Sequence, residues 1–274
     1  MTNIYNEPLA SIIITNYNKS NFLITAVKSC LEQNYKKKEI IFFDDKSTDD
    51  SLKKIKNFRI KNNYDFKIMT NLKKKGSIAT INHIAALKKS LSKARGKYVF
   101  LMDSDDYFQQ NKLNEIIKLF KKNKSYKFIL DQPIIRFKKK LIKKKFQYKL
   151  SDNKWPKFPP TSCMCFEKKT LENVIKKISP KKFPTLAIDF RLAVYYSLIL
   201  KKFVIHNSYL TVYRYVEESM DSKYRSKYRS KEWWIRRKEA FDFLNLILKK
   251  NKLPTNKSLD FFVTKIFNKF LTNL

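Results

Sequence analysis

The sequence is poor in glycine and cysteine and has no long apolar run. Its 274 residues include two glycines and three cysteines, Cys30, Cys163 and Cys165. So few cysteines form no disulfide framework, and Cys163 and Cys165 have no second pair or nearby histidine with which to bind zinc. No stretch approaches the roughly 18–20 apolar residues of a transmembrane helix, and no signal peptide is visible. We therefore predict a reduced, cytoplasmic protein.

Acidic residues are scarce as well. The chain has 24 Asp and Glu against 60 Lys and Arg, a formal net charge of +36. Three explanations compete: the coding bias of an AT-rich genome, attraction to an anionic membrane face or substrate, and nucleic-acid binding. The lysines lie in short runs along the whole chain, such as FKKKLIKKKF, and not in one terminal arm. We therefore predict no nucleic-acid partner and retain an anionic membrane surface as a candidate partner, with peripheral attachment to the inner membrane face.

The hydrophobic pattern alternates between strands and helices. Short β-branched and apolar runs predict four buried strands, at Ser11–Thr15, Glu39–Asp45, Phe66–Thr70 and Lys97–Met102. Amphipathic segments between them predict helices, and this order is typical of a mostly parallel, Rossmann-like α/β sheet flanked by helices. We expect one domain over residues 1–221, divided into a first part (1–110) and a second part (111–221) that carries a small mixed sheet edge. Residues 222–274 form a predicted helical extension.

Polar residues follow three of these strands. Tyr17 comes after the first strand, Asp45 closes the second, and Asp103, Asp105 and Asp106 follow the fourth. Open α/β sheets bind ligands at the carboxyl ends of their strands. The topology thus predicts that these acids gather at one rim of the sheet.

Three carboxylates within four positions repel one another, and a divalent cation removes the conflict. Oxygen ligands without neighbouring His or Cys suit Mg²⁺ or Mn²⁺, and Mg²⁺ commonly joins one or two carboxylates to substrate phosphates. The sequence therefore predicts a metal that binds a diphosphate. The alternative is a solvated loop in which these aspartates cap the next helix.

Four ordered motifs cover roughly residues 9–113: SIIITNYNKSNFL, EQNYKKKEIIFFDDKSTDDS, KKGSIATIN and ARGKYVFLMDSDD. Together they resemble those of a family-2 glycosyltransferase, an inverting enzyme with the GT-A fold and a D-x-D motif. The match thins beyond residue 150.

This resemblance implies that residues 1–221 form a catalytic domain, with a nucleotide-sugar-binding part (1–110) and an acceptor-binding part (111–221). It also implies how a nucleotide-sugar donor binds. Thr15, Tyr17 and Asp45 would bind the nucleotide base, with Asp45 accepting a hydrogen bond from the uracil imide. Gly76 and Asn82 would lie close to the donor.

The resemblance also implies the reacting groups. Asp103 and Asp105 would form the D-x-D pair that touches the ribose and the metal, Mg²⁺ or Mn²⁺. Asp189, in AIDFRL, would be the base that deprotonates the acceptor hydroxyl, and Arg214 would help to neutralise the diphosphate. The alternative for Asp189 is an acid in the first turn of a helix, favoured by the helix dipole.

Two positions depart from the family pattern. Lys46 replaces the usual Gly after the paired aspartates, and Ile81 replaces an Arg that often precedes the Asn. The second change removes a phosphate contact, for which a lysine among residues 73–75 would compensate. These departures bear on the identity of the donor more than on the class of reaction.

The tail from Ser222 is basic and aromatic. Trp233, Trp234, Arg236 and Arg237 precede an apolar helical face. Such a helix fits a membrane surface, and it equally fits packing against the catalytic domain with its cations reaching solvent.

The sequence thus predicts a metal-dependent, inverting glycosyltransferase of the hexosyltransferase type. Its donor would be a UDP-sugar and its acceptor a hydroxyl of a glycan or lipid-linked molecule, in a bacterial cell-surface polysaccharide pathway. One alternative is a nucleotidyltransferase of similar build, which would need a Gly- and Arg-rich phosphate loop that ITNYNKSNF lacks. Another is a non-catalytic basic binding protein, against which the intact acids argue.

Overall fold

A computed structural model describes residues 7–71, 78–147, 155–217, 219, 224 and 226–272. Its strands are β1 (Ala10–Asn16), β2 (Lys38–Asp44), β3 (Lys67–Thr70), β4 (Tyr98–Asp103), β5 (Tyr107–Phe108), β6 (Phe128–Phe137), β7 (Lys140–Lys143), β8 (Met164–Glu167) and β9 (Phe203–Arg214). Its α-helices are α1 (Leu23–Leu31), α2 (Ser51–Lys61), α3 (Ala79–Lys93), α4 (Lys112–Lys122), α5 (Lys168–Lys176), α6 (Ile188–Val194), α7 (Lys231–Lys250) and α8 (Leu259–Thr272).

The strands form one mixed sheet in the order β3-β2-β1-β4-β8-β6-β9-β5, and β7 pairs with the outer part of β6. The first four strands of this order are parallel, while β8 runs antiparallel to both β4 and β6. Parallel pairing brings the carboxyl ends of β1, β2 and β4 to one edge of the sheet. The predicted α/β fold with a mixed outer part is confirmed.

Alternating residues of the strands fill two cores, one on each face of the sheet. In β1, Ile12 and Ile14 point into one core and Ile13 into the other. Helices α1, α2 and α4 cover the first core, and α3, α5, α6 and α7 cover the second. Burial on both faces explains why β1, β2 and β4 read as continuous apolar runs.

Helix α7 belongs to the second core. Phe243, Leu244, Ile247 and Leu248 are buried there, and the ring of Phe243 lies 5.6 Å from that of Phe183. Packing against the second core therefore accounts for the apolar face of α7. The domain boundary at residue 222 stays a prediction, since residues 220–223 lie outside the described ranges.

Within the described part of the chain, no helix is both long and apolar enough to span a bilayer.

Gly96 is a position at which a side chain does not fit. It lies between α3 and β4, against the start of β1. A Cβ atom at this position would come within 2.5 Å of the Ser11 nitrogen and 2.8 Å of the Leu9 oxygen, both backbone atoms. The Gly96 N–H also donates to Ser11 Oγ at 2.8 Å. Any side chain here would push the entry of β4 away from β1.

We therefore expect Gly96→Ala to lower the free energy of unfolding by about 2 kcal/mol, as for overpacking elsewhere. Equilibrium urea unfolding measures this change. Lys93→Ala, at the exposed end of α3, is the control and should stay within about 0.5 kcal/mol of the unmodified chain. Equal stability of the two variants would contradict the steric argument.

Candidate active site

A cavity of about 510 Å³ opens at the carboxyl ends of β1, β2 and β4. Its walls include every predicted site residue in the described ranges: Thr15, Tyr17, Asp45, Asn82, Asp103, Asp105, Asp189 and Arg214. Gly76 and residues 73–75 lie outside those ranges. The topology thus brings together residues that are far apart in sequence, although their individual roles stay predictions.

Strand register joins Thr15 to Asp103. The two residues are direct partners in the parallel β1–β4 pair. The Thr15 hydroxyl donates to Asp103 Oδ1 at 3.3 Å, and His83 Nε2 lies 3.1 Å from Thr15 Oγ1 and 3.6 Å from Asp103 Oδ1. The first acid of the D-x-D pair is therefore held between a hydroxyl and an imidazole.

His83 is a cavity residue that the sequence reasoning missed. It lies in the first turns of α3, and the cavity wall from this helix consists of Ala79, Asn82, His83 and Ala86. These positions are spaced as one helical face. His83 lies four residues after Ala79 and three before Ala86, and that spacing was the signal that could have identified it.

The adjacent carboxylates Asp44 and Asp45 have different environments. Asp44 is fully buried and accepts hydrogen bonds from Asn16 Nδ2 at 2.8 Å and from the Ser47 N–H at 2.8 Å. Asp45 lines the cavity and accepts from Asn71 Nδ2 at 2.5 Å. Asp44 therefore shapes the turn after β2, which leaves Asp45 facing the cavity.

Of the three acids after β4, Asp106 points into the protein. It is fully buried, and its carboxylate accepts from Ser162 Oγ at 2.6 Å and from the Arg214 N–H at 2.8 Å. Asp103 and Asp105 line the cavity. The like-charge conflict predicted for this loop is thus relieved partly by turning one acid inward. The helix-cap alternative fails for Asp106, since α4 begins six residues later, at Lys112.

The pKa values of this loop reflect burial. Burial raises the pKa of Asp105, while Lys19, whose Nζ lies 3.7 Å from Asp105 Oδ2, and Arg214 act in the opposite direction. Burial also raises the pKa of Asp106 well above its usual range, and the neighbouring Asp105 and Asp103 add to the effect. Both shifts disfavour the ionised carboxylate, and a bound cation would offset them.

The donor atoms fit a divalent cation only in part. No group of three or more His, Cys, Asp or Glu side chains within the described ranges is arranged to hold a metal ion. Asp103 and Asp105 supply two hard oxygen ligands at the cavity. Mg²⁺ bound through one or two carboxylates and completed by phosphates matches this donor set, so the site suits a metal that arrives with a diphosphate.

Arg214 holds the acidic loop in place. Its Nη2 donates to the backbone oxygens of Phe22 at 3.1 Å and Asp106 at 3.3 Å, and its Nε donates to the backbone oxygen of Asp105. Its guanidinium lies 4.9 Å from the Phe22 ring. These contacts support a positioning role, and the predicted contact with a diphosphate stays a prediction.

A buried lysine connects this loop to the second half of the chain. Lys112 Nζ, fully buried, donates to Asp131 Oδ1 at 2.6 Å, to the Ser162 backbone oxygen at 2.7 Å and to Thr211 Oγ1 at 2.6 Å. Ser162 Oγ in turn accepts from the Asp103 N–H at 3.0 Å. Burial alone would lower the pKa of Lys112, but Asp131, Cys165 and Cys163 together outweigh burial and the pKa is raised.

Asp189 lies in the first turn of α6, on the cavity wall formed by Ala187 and Ile188. Its Oδ1 accepts from the Phe190 N–H at 2.6 Å. The buried Arg191 holds the loop before α6, since it donates to the backbone oxygens of Ser179 at 3.0 Å and Leu186 at 3.0 Å. The helix is thus fixed with Asp189 at the cavity.

Comparison with known proteins identifies the family. A model described as Glycosyl transferase family 2 matches residues 11–179, more than half of the chain. The chain therefore belongs to glycosyl transferase family 2, which confirms the family predicted from the four motifs.

Curated relatives match the first half of the chain. A UDP-Glc:alpha-D-GlcNAc-diphosphoundecaprenol beta-1,3-glucosyltransferase of Escherichia coli, WfaP, is 39% identical over 124 residues, which is 43% of each chain. The putative glycosyltransferase EpsE of Bacillus subtilis is 30% identical over 122 residues, which is 44% of this chain and 42% of that protein. The matched region thus spans less than half the length of these relatives.

Solved structures share the fold over most of the chain. TarS of S. aureus in complex with UDP-GlcNAc aligns with a TM-score of 0.59 and 16% identity, over 88% of this chain and 73% of that one. The mannosyltransferase PcManGT of Pyrobaculum calidifontis, in complex with GDP-Man and Mn²⁺, aligns with a TM-score of 0.62 and 14% identity, over 92% and 67%. At such identities the likeness shows a common fold.

The buried pair of Lys112 and Asp131 gives a stability prediction. Lys112→Met leaves the Asp131 carboxylate without its cation, so we expect the free energy of unfolding to fall by about 3–5 kcal/mol. The double variant Lys112→Met, Asp131→Leu removes both charges and should lose less stability than Lys112→Met alone. Urea unfolding of the two variants measures the difference. A double variant less stable than the single one would contradict this account.

Proposed function

We propose that the chain transfers a sugar from a UDP-sugar to an acceptor hydroxyl, with inversion at the anomeric carbon. The observation that supports this most is the convergence of Asp45, Asp103, Asp105 and Asp189 on one cavity within a family 2 fold. Family membership also argues against the nucleotidyltransferase alternative.

The donor would lie along the carboxyl ends of β1, β2 and β4. Asp45, held by Asn71, would accept from the uracil imide, and Tyr17, 38% exposed, would cover the base. WfaP, as its name states, uses UDP-Glc, and TarS was solved with UDP-GlcNAc. Since PcManGT was solved with GDP-Man, the choice between uridine and guanosine diphosphates is the one to test.

Asp103 and Asp105 would hold Mg²⁺ or Mn²⁺ together with the donor phosphates. The bound ion would supply Lewis-acid stabilisation of the departing nucleoside diphosphate. Thr15 and His83 would keep the Asp103 carboxylate in one orientation, and Lys19 would add positive charge beside Asp105. PcManGT, of the same fold, was solved with Mn²⁺.

Asp189 would act as the general base. Its carboxylate takes the proton of the acceptor hydroxyl as that oxygen bonds to the anomeric carbon. The bond between this carbon and the phosphate oxygen breaks at the same time, and the nucleoside diphosphate leaves with the electron pair. Attack from the side opposite the leaving group inverts the configuration.

The acceptor would be a glycan or a lipid-linked sugar of a bacterial cell-surface polysaccharide pathway. The name of WfaP specifies a diphosphoundecaprenol-linked acceptor. Phe146 and Phe158 give the cavity an aromatic wall outside the donor-side acids, and such faces suit a sugar ring. A cytoplasmic location, with this acceptor at the inner membrane face, completes the proposal.

Nucleotide binding tests the donor and the metal. UDP at about 100 times its Kd should add about 2.7 kcal/mol of stability, seen as a higher thermal midpoint that needs Mn²⁺ and exceeds the shift with GDP. Asp105→Ala should abolish the shift, while Asp50→Ala, at the exposed start of α2, should retain it. A shift that is equal without metal would overturn the metal assignment, and a larger shift with GDP would overturn the choice of UDP.

Asp189→Asn tests the base. We expect transfer to fall about 10²- to 10⁴-fold, while the UDP-dependent thermal shift stays unchanged. Release of UDP from UDP-glucose, with a short-chain GlcNAc-diphospholipid as acceptor, measures transfer. Asp242→Asn, on the outer side of α7, is the control. Loss of UDP binding together with transfer would remove Asp189 from the base role.

A further inference from the structure

The hairpin formed by the end of β6 and by β7 exposes an unusual surface. Residues 138–145 read KKKLIKKK, so six of eight are lysines. Every residue from Arg136 to Lys145 is exposed, including Leu141 at 60% and Ile142 at 54%. The strand β7 thus has no buried face, and the proposed transfer reaction does not use it. We call residues 136–145 the basic hairpin.

The apolar residues of the basic hairpin lie in the middle of its charges. Leu141 and Ile142 pair with Arg136 and Ile135 of β6, and three lysines flank them on each side. Phe137, 44% exposed, has its ring 5.3 Å from that of Tyr215, itself 41% exposed. The surface therefore combines exposed aliphatic and aromatic side chains with a dense positive charge.

These lysines are available for binding an anion. Among the described residues, none of the six forms an ion pair with a carboxylate. Lys143 Nζ lies 5.3 Å from the Tyr209 ring centre and Lys144 Nζ lies 5.1 Å from that of Phe146. These two ammonium groups thus lie near aromatic rings, and both side chains are still exposed to solvent.

The basic hairpin is close to the cavity. β6 pairs with β7 on one side and with β9 on the other, so that Arg136 is partner to both Leu141 and Arg214. Two strand spacings, roughly 10 Å, therefore separate the exposed Leu141 from Arg214, which lines the cavity. Phe146, which follows β7, lines the cavity and is held by Gln132 through hydrogen bonds of 2.7 and 3.0 Å.

We propose that the basic hairpin docks on an anionic bilayer surface. Its lysines would bind acidic headgroups, and Leu141 and Ile142 would enter the boundary of the acyl chains. A nucleic acid would use the lysines but would leave this aliphatic pair in water, so the lipid surface is the better match. The cavity would then open at headgroup level towards a lipid-anchored acceptor, a consequence that rests on the proposed function.

Vesicle binding tests the docking. We expect the full chain to sediment with phosphatidylglycerol-containing vesicles, to ignore neutral phosphatidylcholine vesicles and to dissociate as NaCl rises. Replacing all six hairpin lysines by Gln should weaken binding about 100-fold or more. The matched control replaces six exposed lysines elsewhere by Gln: Lys53, Lys56, Lys61, Lys121, Lys122 and Lys124. Both variants lose the same charge, so equal effects would overturn the proposal.

The aliphatic pair is tested separately. Leu141→Thr with Ile142→Thr keeps strand-forming residues and should weaken vesicle binding about 10-fold. The native cysteines are all buried, so a fluorophore on Leu141→Cys reports this site alone. We expect its emission to shift to the blue with anionic vesicles, unlike the same probe on Ile60→Cys in α2. No shift at position 141 would overturn insertion.

Other occupants give distinct outcomes. Helix α8 also exposes apolar residues, among them Phe270 at 67%; a shift with Phe270→Cys and none with Leu141→Cys would assign docking to α8 instead. Loss of duplex DNA binding in the six-lysine variant, with vesicle binding intact, would assign the hairpin to nucleic acid. The Mn²⁺-dependent UDP shift should persist in all hairpin variants, so failed docking and failed donor binding are distinguishable.

Discussion

The ion pair between Lys112 and Asp131 is the interaction on which the site depends. Both side chains are fully buried, and removing two charges from water costs several kcal/mol for each ion. Thr211 and the backbone of Ser162 offset that cost, because Lys112 donates to both. Ser162 then binds Asp103 and Asp106. The acidic loop is therefore held in part by residues from the second half of the chain.

The acids of the rim divide into two sets. Asp44 and Asp106 are fully buried and hold turns, while Asp45, Asp103 and Asp105 face the cavity. Each buried acid lies beside a cavity acid in the chain and gives its backbone a fixed shape. Evenly exposed carboxylates would repel one another and leave the loop free to move. Turning one acid of each group inward, onto hydroxyl and backbone donors, leaves the others facing the cavity, where the proposed cation and nucleotide would bind.

The period of the apolar residues predicted the strands and the helices, and parallel pairing predicted where their ends meet. That reasoning located Tyr17, Asp45 and Asp103, since each ends or follows a strand. It could not locate Ser162 or Lys112, whose contacts depend on how the antiparallel strand β8 and the strand β9 join the sheet. It also left α7 undecided, because an amphipathic helix has the same pattern on a core as on a membrane. The contacts of Ser162 and Lys112 and the packing of α7 are set by residues distant in sequence, and the local sequence pattern does not predict them.

Scarcity of glycine explains part of the charge distribution. Within the described ranges, six non-glycine residues have left-handed backbone geometry, and four of them are lysines, at positions 46, 138, 201 and 252. Left-handed geometry costs about 1–2 kcal/mol for each such residue. A loop residue can adopt it without a steric clash, whereas a side chain at Gly96 would clash with backbone atoms. One of these lysines, Lys46, follows the cavity acid Asp45, and another, Lys138, lies in the turn of the basic hairpin. Because glycine is scarce, lysines thus stand at two turns beside the surfaces proposed to bind anionic ligands. The compositional bias and an anionic ligand would both favour lysine at these turns.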